Sequence, residues 1–187
     1  ISRNLKDFLG GPFLHDLAGV WNGGEAVVVA AGPSLDDVDL PGAFGGVPVL
    51  VCDTAAPVLA ERGVTPDLIV TLDASESNKA YLRNLPAEVY ENTILCVTPL
   101  VERMVYAPFK RAAFYSYGHP TLDHFRESGA LFEPLATGGS VALTAVDIAR
   151  LLGAKKIYLL GFDFQYYAFR THARGTGAAL RGMRAAN

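Results

Sequence analysis

The sequence has little cysteine, no long hydrophobic run and no excess of positive charge. Two cysteines among 187 residues are too few for a fold held together by a disulfide framework. No apolar segment approaches the ~20 residues that span a bilayer, so we expect no membrane span. The formal net charge is −3. A nucleic-acid partner would favour a basic surface, and we therefore expect none.

Hydrophobic residues, in contrast, are abundant. They make up 50% of the chain and charged residues 19%, which excludes a disordered protein. A chain of this length buries roughly 70% of its unfolded surface and can form a core of its own. Cys52 and Cys96 fall inside apolar segments, which indicates buried thiols in a reducing compartment, and we expect the cytoplasm. Residue 1 is Ile rather than Met, so we expect a piece of a longer protein.

Short apolar, β-branched segments alternate with segments of helical spacing. Continuous apolar strands are typical of a parallel sheet that is covered on both faces. The alternation predicts an α/β fold, Rossmann-like and doubly wound, with a mostly parallel sheet and helices on both faces. The predicted strands are 26–31, 47–52, 68–72, 93–97, 112–117 and 157–160. The predicted helices are 54–62, 77–85, 101–106, 122–128 and 140–152.

The composition divides the chain into three parts. Apolar positions near helical spacing, interrupted at residues 10–12, predict two short helical turns in a lead-in over residues 1–24. Residues 25–165 form the predicted Rossmann-like, nucleotide-binding domain. From residue 164 onward the sequence has four arginines and no acidic residue. We predict a flexible basic flap or tail over residues 166–187.

The turn after the first strand is a candidate ligand site, because open α/β sheets bind ligands beyond the carboxyl ends of their strands. It consists of Gly32, Pro33, Ser34 and Leu35. The glycine permits close backbone approach, and the serine can cap a helix or bond a phosphate oxygen. The turn matches neither G-x-G-x-x-G nor a Walker loop. A plain strand-to-helix turn explains it equally well.

Acidic residues follow the second and third strands. Asp53 and Thr54 end the second strand, and Asp73 ends the third. A carboxylate at these positions can bond ribose hydroxyls or a base amine, or hold a metal. The alternative is that each residue caps the next helix.

The predicted helix 140–152 is preceded by Thr137, Gly138, Gly139 and Ser140. Backbone N–H groups and the helix dipole favour an anion at such a position. Ser140 would also serve as a simple N-cap. We favour phosphate or nucleotide contact, because a glycine pair costs backbone entropy that a cap alone does not require.

The last candidates follow the sixth strand. Asp163 at the strand exit is suited to holding loops or substrate hydroxyls. His172, between Arg170 and Arg174, is a candidate general base, because its unperturbed pKa lies near neutrality. A solvated loop histidine is the alternative.

Four segments occur in order along the chain: VVVAAGPSL (27–35), PDLIVTLD (66–73), GGSVALTA (138–145) and LGAKKIYLLGFD (152–163). Taken together, they resemble the MptE-like family, which includes 6-hydroxymethylpterin diphosphokinases and Maf flagellin glycosyltransferases. The resemblance covers roughly residues 20 to 175. The first and last segments are also similar to bacterial sialyltransferases that use a CMP-sugar. By this resemblance Gly32, Pro33 and Ser34 would hold the nucleotide together with residues 137–140.

Within the family, the chain is more similar to the glycosyltransferases. Residues 70–74 are VTLDA, without the second carboxylate and the glycine of the TDLDG segment in the pterin kinases. The resemblance implies transfer of a sugar, for which a CMP-linked nonulosonic acid is a candidate donor, to a hydroxyl of a protein such as flagellin. His172 would be the base, Arg170 and Arg174 would offset the charge of the leaving phosphate, and no cofactor would be required.

Two alternatives stay open. One is a 6-hydroxymethylpterin pyrophosphokinase that uses ATP and magnesium, with Asp53 and Asp73 on the metal. The other is a non-catalytic nucleotide-binding module.

Overall fold

A computed structural model describes residues 4–72, 76–118, 134–135, 139–165 and 170–176. Six strands lie within these ranges: β1 (Glu25–Val29), β2 (Val49–Cys52), β3 (Leu68–Thr71), β4 (Ile94–Val97), β5 (Arg111–Phe114) and β6 (Lys156–Leu160). They form one sheet in the order β5-β4-β3-β2-β1-β6, and every neighbouring pair is parallel. The predicted Rossmann-like α/β fold and all six predicted strands are confirmed.

The central strands are apolar at nearly every position because both faces of the sheet are covered; Glu25 at the start of β1 and Thr71 at the end of β3 are the polar residues of β1 to β4. In β1, Val27 and Val29 pack into one hydrophobic cluster, whereas Ala26 and Val28 pack into the cluster on the opposite face. Successive side chains of a strand point to opposite faces. A continuous β-branched run therefore fits a sheet with two buried faces.

Seven α-helices accompany the sheet in the described part of the chain. They are α1 (Leu5–Gly10), α2 (Leu40–Ala43), α3 (Ala56–Glu61), α4 (Glu76–Leu82), α5 (Ala87–Asn92), α6 (Arg103–Tyr106) and α7 (Val141–Leu151). Four of the predicted helices are found, and predicted helix 122–128 lies outside the described residues. Sequence analysis missed the short helices α2 and α5. The α5 helix follows Pro86, and its Tyr90 hydroxyl donates to the Leu82 carbonyl oxygen at 2.7 Å.

The strand order explains which helix covers which face. The chain advances in one direction from β1 to β5, and the buried residues of α3 to α6 all pack into the first cluster. It then returns to place β6 on the other side of β1, and α7 packs into the second cluster. Right-handed crossovers running in opposite directions place their helices on opposite faces. The topological switch point of the sheet therefore lies between the neighbouring strands β1 and β6.

Both ends of the described chain are packed onto this core. The two predicted helical turns of the lead-in are α1 and a 3-10 turn, Leu14–Leu17, and they bury Phe8 and Leu14. Residues 170–176 differ from the expected loose tail. The Ala173 N–H donates to the Ala31 carbonyl oxygen at 2.8 Å, and Ala173 and Thr176 are fully buried. The tail was predicted from its arginine content, and that content does not reveal that the small side chain of Ala173 packs into the core.

Two further expectations concern the thiols and the membrane. Cys52 and Cys96 are buried and unpaired, as predicted. None of the helices in the described ranges combines the length and the hydrophobicity that crossing a bilayer requires.

Candidate functional site

A cavity of about 610 Å³ opens at the switch point, beyond the carboxyl ends of β1, β2 and β6. Parallel α/β folds bind ligands at this position. Four parts of the chain and the pair Thr171–His172 form its wall. The four are the turn after β1 (residues 30–33), the end of β2 (Cys52 and Thr54), the start of α7 (residues 139–142) and the loop after β6 (residues 161–165).

The loops that follow β1 and β6 are joined by one carboxylate. Asp163 accepts the backbone N–H of Ser34 at Oδ2, at 2.7 Å, and the Ser34 hydroxyl at Oδ1. The Gly32 N–H donates to the Gly161 carbonyl oxygen at 2.9 Å. Two sequence motifs more than 120 residues apart are thus halves of one structure, and Asp163 holds a loop, one of its two expected roles.

Both glycines of this junction are required by close approach of the two loops. A β-carbon on Gly32 would collide with the Gly161 carbonyl oxygen and the Asp163 carboxylate. A β-carbon on Gly161 would collide with the Ala30 carbonyl oxygen, and its φ of +69° is in the left-handed region. Only glycine satisfies both conditions at little energetic cost.

Asp53 lies beneath the cavity rather than on its surface. Its side chain is 1% exposed. Oδ1 accepts the Thr54 N–H and Oδ2 accepts the Thr71 hydroxyl, both at 2.7 Å. Thr54 itself lines the cavity. Asp73 lies outside the described residues.

The start of α7 forms one wall. Ser140 is the N-cap, and its Oγ accepts the Ala142 N–H at 3.3 Å. Gly139, Ser140, Val141 and Ala142 line the cavity, whereas Thr137 and Gly138 lie outside the described residues. The N–H groups in the first turn of this 11-residue helix carry partial positive charge beside the cavity.

His172 lines the cavity from the described segment 170–176. It is half-buried, and its Nδ1 lies 2.8 Å from the Thr171 Oγ1. Burial lowers the pKa of His172 below the ordinary value of 6.5, because desolvation disfavours the charged imidazolium. The imidazole is therefore neutral at pH 7 and able to accept a proton.

The two arginines beside His172 are directed elsewhere. Arg170 Nη1 lies 2.5 Å from Asp36 Oδ2, and the Arg174 backbone N–H donates to Asp36 Oδ1 at 3.0 Å. Neither arginine lines the cavity, and no lysine or arginine is among the described residues that do. Leu35 is fully buried in the core. The positive potential in the described wall therefore comes from backbone N–H groups.

Several wall residues were missed by sequence analysis. Phe162, Phe164 and Gln165 come from the loop after β6, and Thr171 precedes His172. Asp163 was identified because ligands bind beyond the carboxyl ends of parallel strands. The same rule applies to Phe162, Phe164 and Gln165 and would have identified them. Phe164 is 77% exposed and has a φ of +50°, an uncommon backbone conformation for an aromatic residue.

The described residues do not fit a magnesium site. Nowhere in the described ranges do three His, Cys, Asp or Glu side chains converge on a point where they could hold a metal. Both carboxylate oxygens of Asp53 accept hydrogen bonds within the protein.

The parallel sheet and the cavity at its switch point place the chain among the Rossmann-like α/β proteins. Residues 1–168 match the family model described as 6-hydroxymethylpterin diphosphokinase MptE-like. The chain belongs to this MptE-like family, as the sequence segments suggested. Membership of a family named for a group-transfer enzyme supports a transferase-type function.

Two known proteins are similar to the chain. An uncharacterized protein of Treponema pallidum (strain Nichols) is 32% identical over 123 residues, which cover 60% of this chain and 31% of that protein. The structure of a Maf glycosyltransferase from Magnetospirillum magneticum AMB-1 superimposes with a TM-score of 0.63 and 20% identity, covering 97% of this chain and 36% of the other. The chain thus spans about a third of the length of each of these proteins. The similarity to the Maf glycosyltransferase structure shows that the two share a fold.

Proposed function

We propose that the chain is a nucleotide-dependent transferase domain of the Maf type. It moves a sugar from a nucleotide-sugar, with CMP-nonulosonic acid as the candidate donor, to a hydroxyl group of a protein such as flagellin. One observation carries the proposal. A neutral imidazole, that of His172, and the N-terminus of α7 face the same cavity at the switch point. This combination provides a proton acceptor and an anion-binding wall within one site.

The donor occupies this cavity. Its volume of about 610 Å³ is within the range of roughly 300 to 1,000 Å³ that is typical of small-molecule sites. The phosphate of the donor lies at the start of α7, where the N–H groups of the first turn and the helix dipole favour an anion. Thr54 and Ser140 on the wall offer hydroxyl groups to the ribose and the base.

The transfer consists of one substitution at the anomeric carbon of the donor. His172 accepts the proton of the acceptor hydroxyl as its oxygen forms a bond to that carbon. The bond from the carbon to the phosphate oxygen breaks, and the nucleotide leaves with the bonding electrons. The N–H groups of α7 stabilise the charge that develops on the phosphate. This route needs no metal or other cofactor, and we expect it to operate in the cytoplasm.

A second candidate function follows from the description of the family. A 6-hydroxymethylpterin diphosphokinase would join the pterin hydroxyl to the β-phosphorus of ATP and release AMP. Magnesium normally neutralises the charge in such a transfer. The buried, hydrogen-bonded state of Asp53 does not favour this candidate.

The experiment that separates these functions follows product formation. The chain is incubated with CMP-nonulosonic acid and flagellin, and separately with ATP, magnesium and 6-hydroxymethylpterin. The proposal predicts CMP release and a mass increase of flagellin in the first reaction without metal, lost in His172→Ala and retained in His15→Gln. AMP formation in the second reaction alone would overturn it. Nucleotide binding without turnover in either would instead support a non-catalytic module.

A further inference from the structure

Asp36 contacts the chain on both sides of His172. It belongs to the 3-10 turn after β1, Pro33–Asp37, and its side chain is 12% exposed. Oδ2 pairs with Arg170 Nη1 at 2.5 Å, and Oδ1 accepts the Arg174 N–H at 3.0 Å. One carboxylate therefore fixes the residue two positions before His172 and the residue two positions after it.

Asp36 is itself held in place by Arg62, the residue after α3. Arg62 Nη2 lies 3.5 Å from Asp36 Oδ1, and Arg62 Nη1 donates to the Leu35 carbonyl oxygen at 2.9 Å. The side chains of Arg62 and Arg170 are 28% and 24% exposed. Ion pairs that are this far removed from solvent are screened less than those on an open surface.

The backbone next to His172 has a third anchor. The Ala173 N–H donates to the Ala31 carbonyl oxygen at 2.8 Å, and the Ala173 side chain is buried in the core. Anchors at residues 170, 173 and 174 leave the backbone at His172 little freedom, and its imidazole lies against the cavity.

We propose that Asp36 is the positioning residue for His172, and that its bonds to Arg170 and Arg174 hold the imidazole at the cavity. This inference rests on the proposed function in that His172 acts there as the base. Neither Asp36 nor Arg170 lines the cavity, so both act through the chain rather than on the substrate.

The test measures the position of His172 directly, without activity. The pKa of His172 is determined by NMR titration of its ring signals in the wild type, Asp36→Ala and Arg170→Ala. Asp163 and the buried thiol of Cys52 also line the cavity, and these variants leave both unchanged. Loss of the anchors exposes the imidazole, so we expect its pKa to rise toward 6.5. Removal of a negative charge alone would move the pKa in the opposite direction.

Two controls and a second readout complete the experiment. Asp39→Ala removes an exposed carboxylate three residues from Asp36 and should leave the pKa of His172 at its wild-type value. Arg170→Lys keeps the positive charge and should restore most of the wild-type behaviour. Amide exchange at Ala173 should become about tenfold faster or more in Asp36→Ala and Arg170→Ala, because local opening becomes less costly.

The inference is wrong if folded Asp36→Ala and Arg170→Ala keep the wild-type pKa and Ala173 exchange, or if the pKa of His172 falls further. If Asp36→Ala does not fold, Ala173 exchange in Arg170→Ala decides, because loss of the positive charge of Arg170 would by itself raise the pKa of His172. If the wild type is active, kcat should fall in Asp36→Ala and Arg170→Ala. KM for the donor should change little in both variants, because the cavity wall that binds the donor is intact. A wild type without transfer activity would contradict the proposed function, whereas the titration and exchange results would still decide the role of Asp36.

Discussion

The carboxylate of Asp163 binds both the backbone N–H and the hydroxyl of Ser34, and thereby joins the loops after β6 and β1. These two strands flank the switch point of the sheet. The junction therefore fixes the mouth of the cavity. Ser34, which sequence analysis considered for a phosphate, has its hydroxyl engaged within the protein.

The first prediction concerns the energy of this junction. Ser34→Ala removes the hydroxyl bond to Asp163 and should lower the free energy of unfolding by about 1 kcal/mol, whereas Asp163→Ala removes both bonds to the carboxylate and should lower it by about 1.5 to 3 kcal/mol. Both values are measured by urea unfolding.

A double-mutant cycle then tests whether the two residues act together. In the Asp163→Ala background, Ser34→Ala should cost much less than in the wild type. Costs that simply add would mean that the two side chains stabilise the protein independently.

The second prediction concerns the glycines of the same junction. Gly32→Ala should destabilise the protein by about 2 kcal/mol or more, because its β-carbon collides with the Gly161 carbonyl oxygen and Asp163. Gly161→Ala should do the same. Gly10→Ala is the control, since nothing lies within 4 Å of a β-carbon there, and thermal unfolding should register almost no change. Equal midpoints for Gly32→Ala and Gly10→Ala would contradict the observed close approach.

The third prediction concerns the pH dependence of transfer. Burial lowers the pKa of His172, and the base works in its neutral form. Activity should therefore rise with pH through an apparent pKa below 6.5 and be constant around pH 7. The profile of kcat/KM against pH measures this pKa in the free enzyme.

Substitution of the base should remove most of the activity. His172→Ala should lower kcat by roughly 10²- to 10⁴-fold, the usual contribution of a general base. If the fall of kcat/KM at low pH is unchanged in His172→Ala, the group that titrates is not His172.

The fourth prediction concerns the thiols. Burial raises the pKa of Cys52 and Cys96 far above the ordinary value of 9.0, so neither forms the reactive thiolate in the native state. Alkylation at pH 8 should label neither cysteine in the folded protein and both in urea. Rapid labelling of Cys52 in the native protein would mean that the cavity wall opens far enough to expose it.

Much of the fold could be predicted from the sequence because the signals are local. Each strand is a short, apolar run, and α7 has a clear apolar face ended by Gly153. The helix α5 was missed because Val89 is its one fully buried side chain in the structure. A helix with a single buried residue shows no apolar periodicity in its sequence from which to recognise it.

The candidate site was only partly predictable, since its contacts join distant parts of the chain. The rule for carboxyl ends of strands identified Gly32, Thr54 and Asp163 as candidates, and these residues line one cavity together with His172. No local pattern distinguishes Asp36 from Asp37 and Asp39, yet among the described contacts Asp36 alone of the three pairs with Arg62, Arg170 and Arg174. Only the folded chain brings those arginines to it.

The central claim is that the phosphate of a cytidine nucleotide binds at the start of α7 without metal. Ala142→Asp places a carboxylate on the cavity wall, and an acidic residue in the first turn favours the helix itself. Leu143→Asp makes the same change at the next position, where the side chain is exposed and does not line the cavity.

The most direct measurement is a thermal-shift comparison of these proteins with CMP, CDP, UDP, ATP and GTP, each with and without magnesium. A nucleotide at ~100 times its Kd stabilises the folded state by roughly 2.7 kcal/mol. The account predicts that CMP without metal raises the Tm of the wild type and of Leu143→Asp, but not that of Ala142→Asp. Stabilisation by ATP with magnesium alone, or an equal CMP shift in Ala142→Asp, would contradict it.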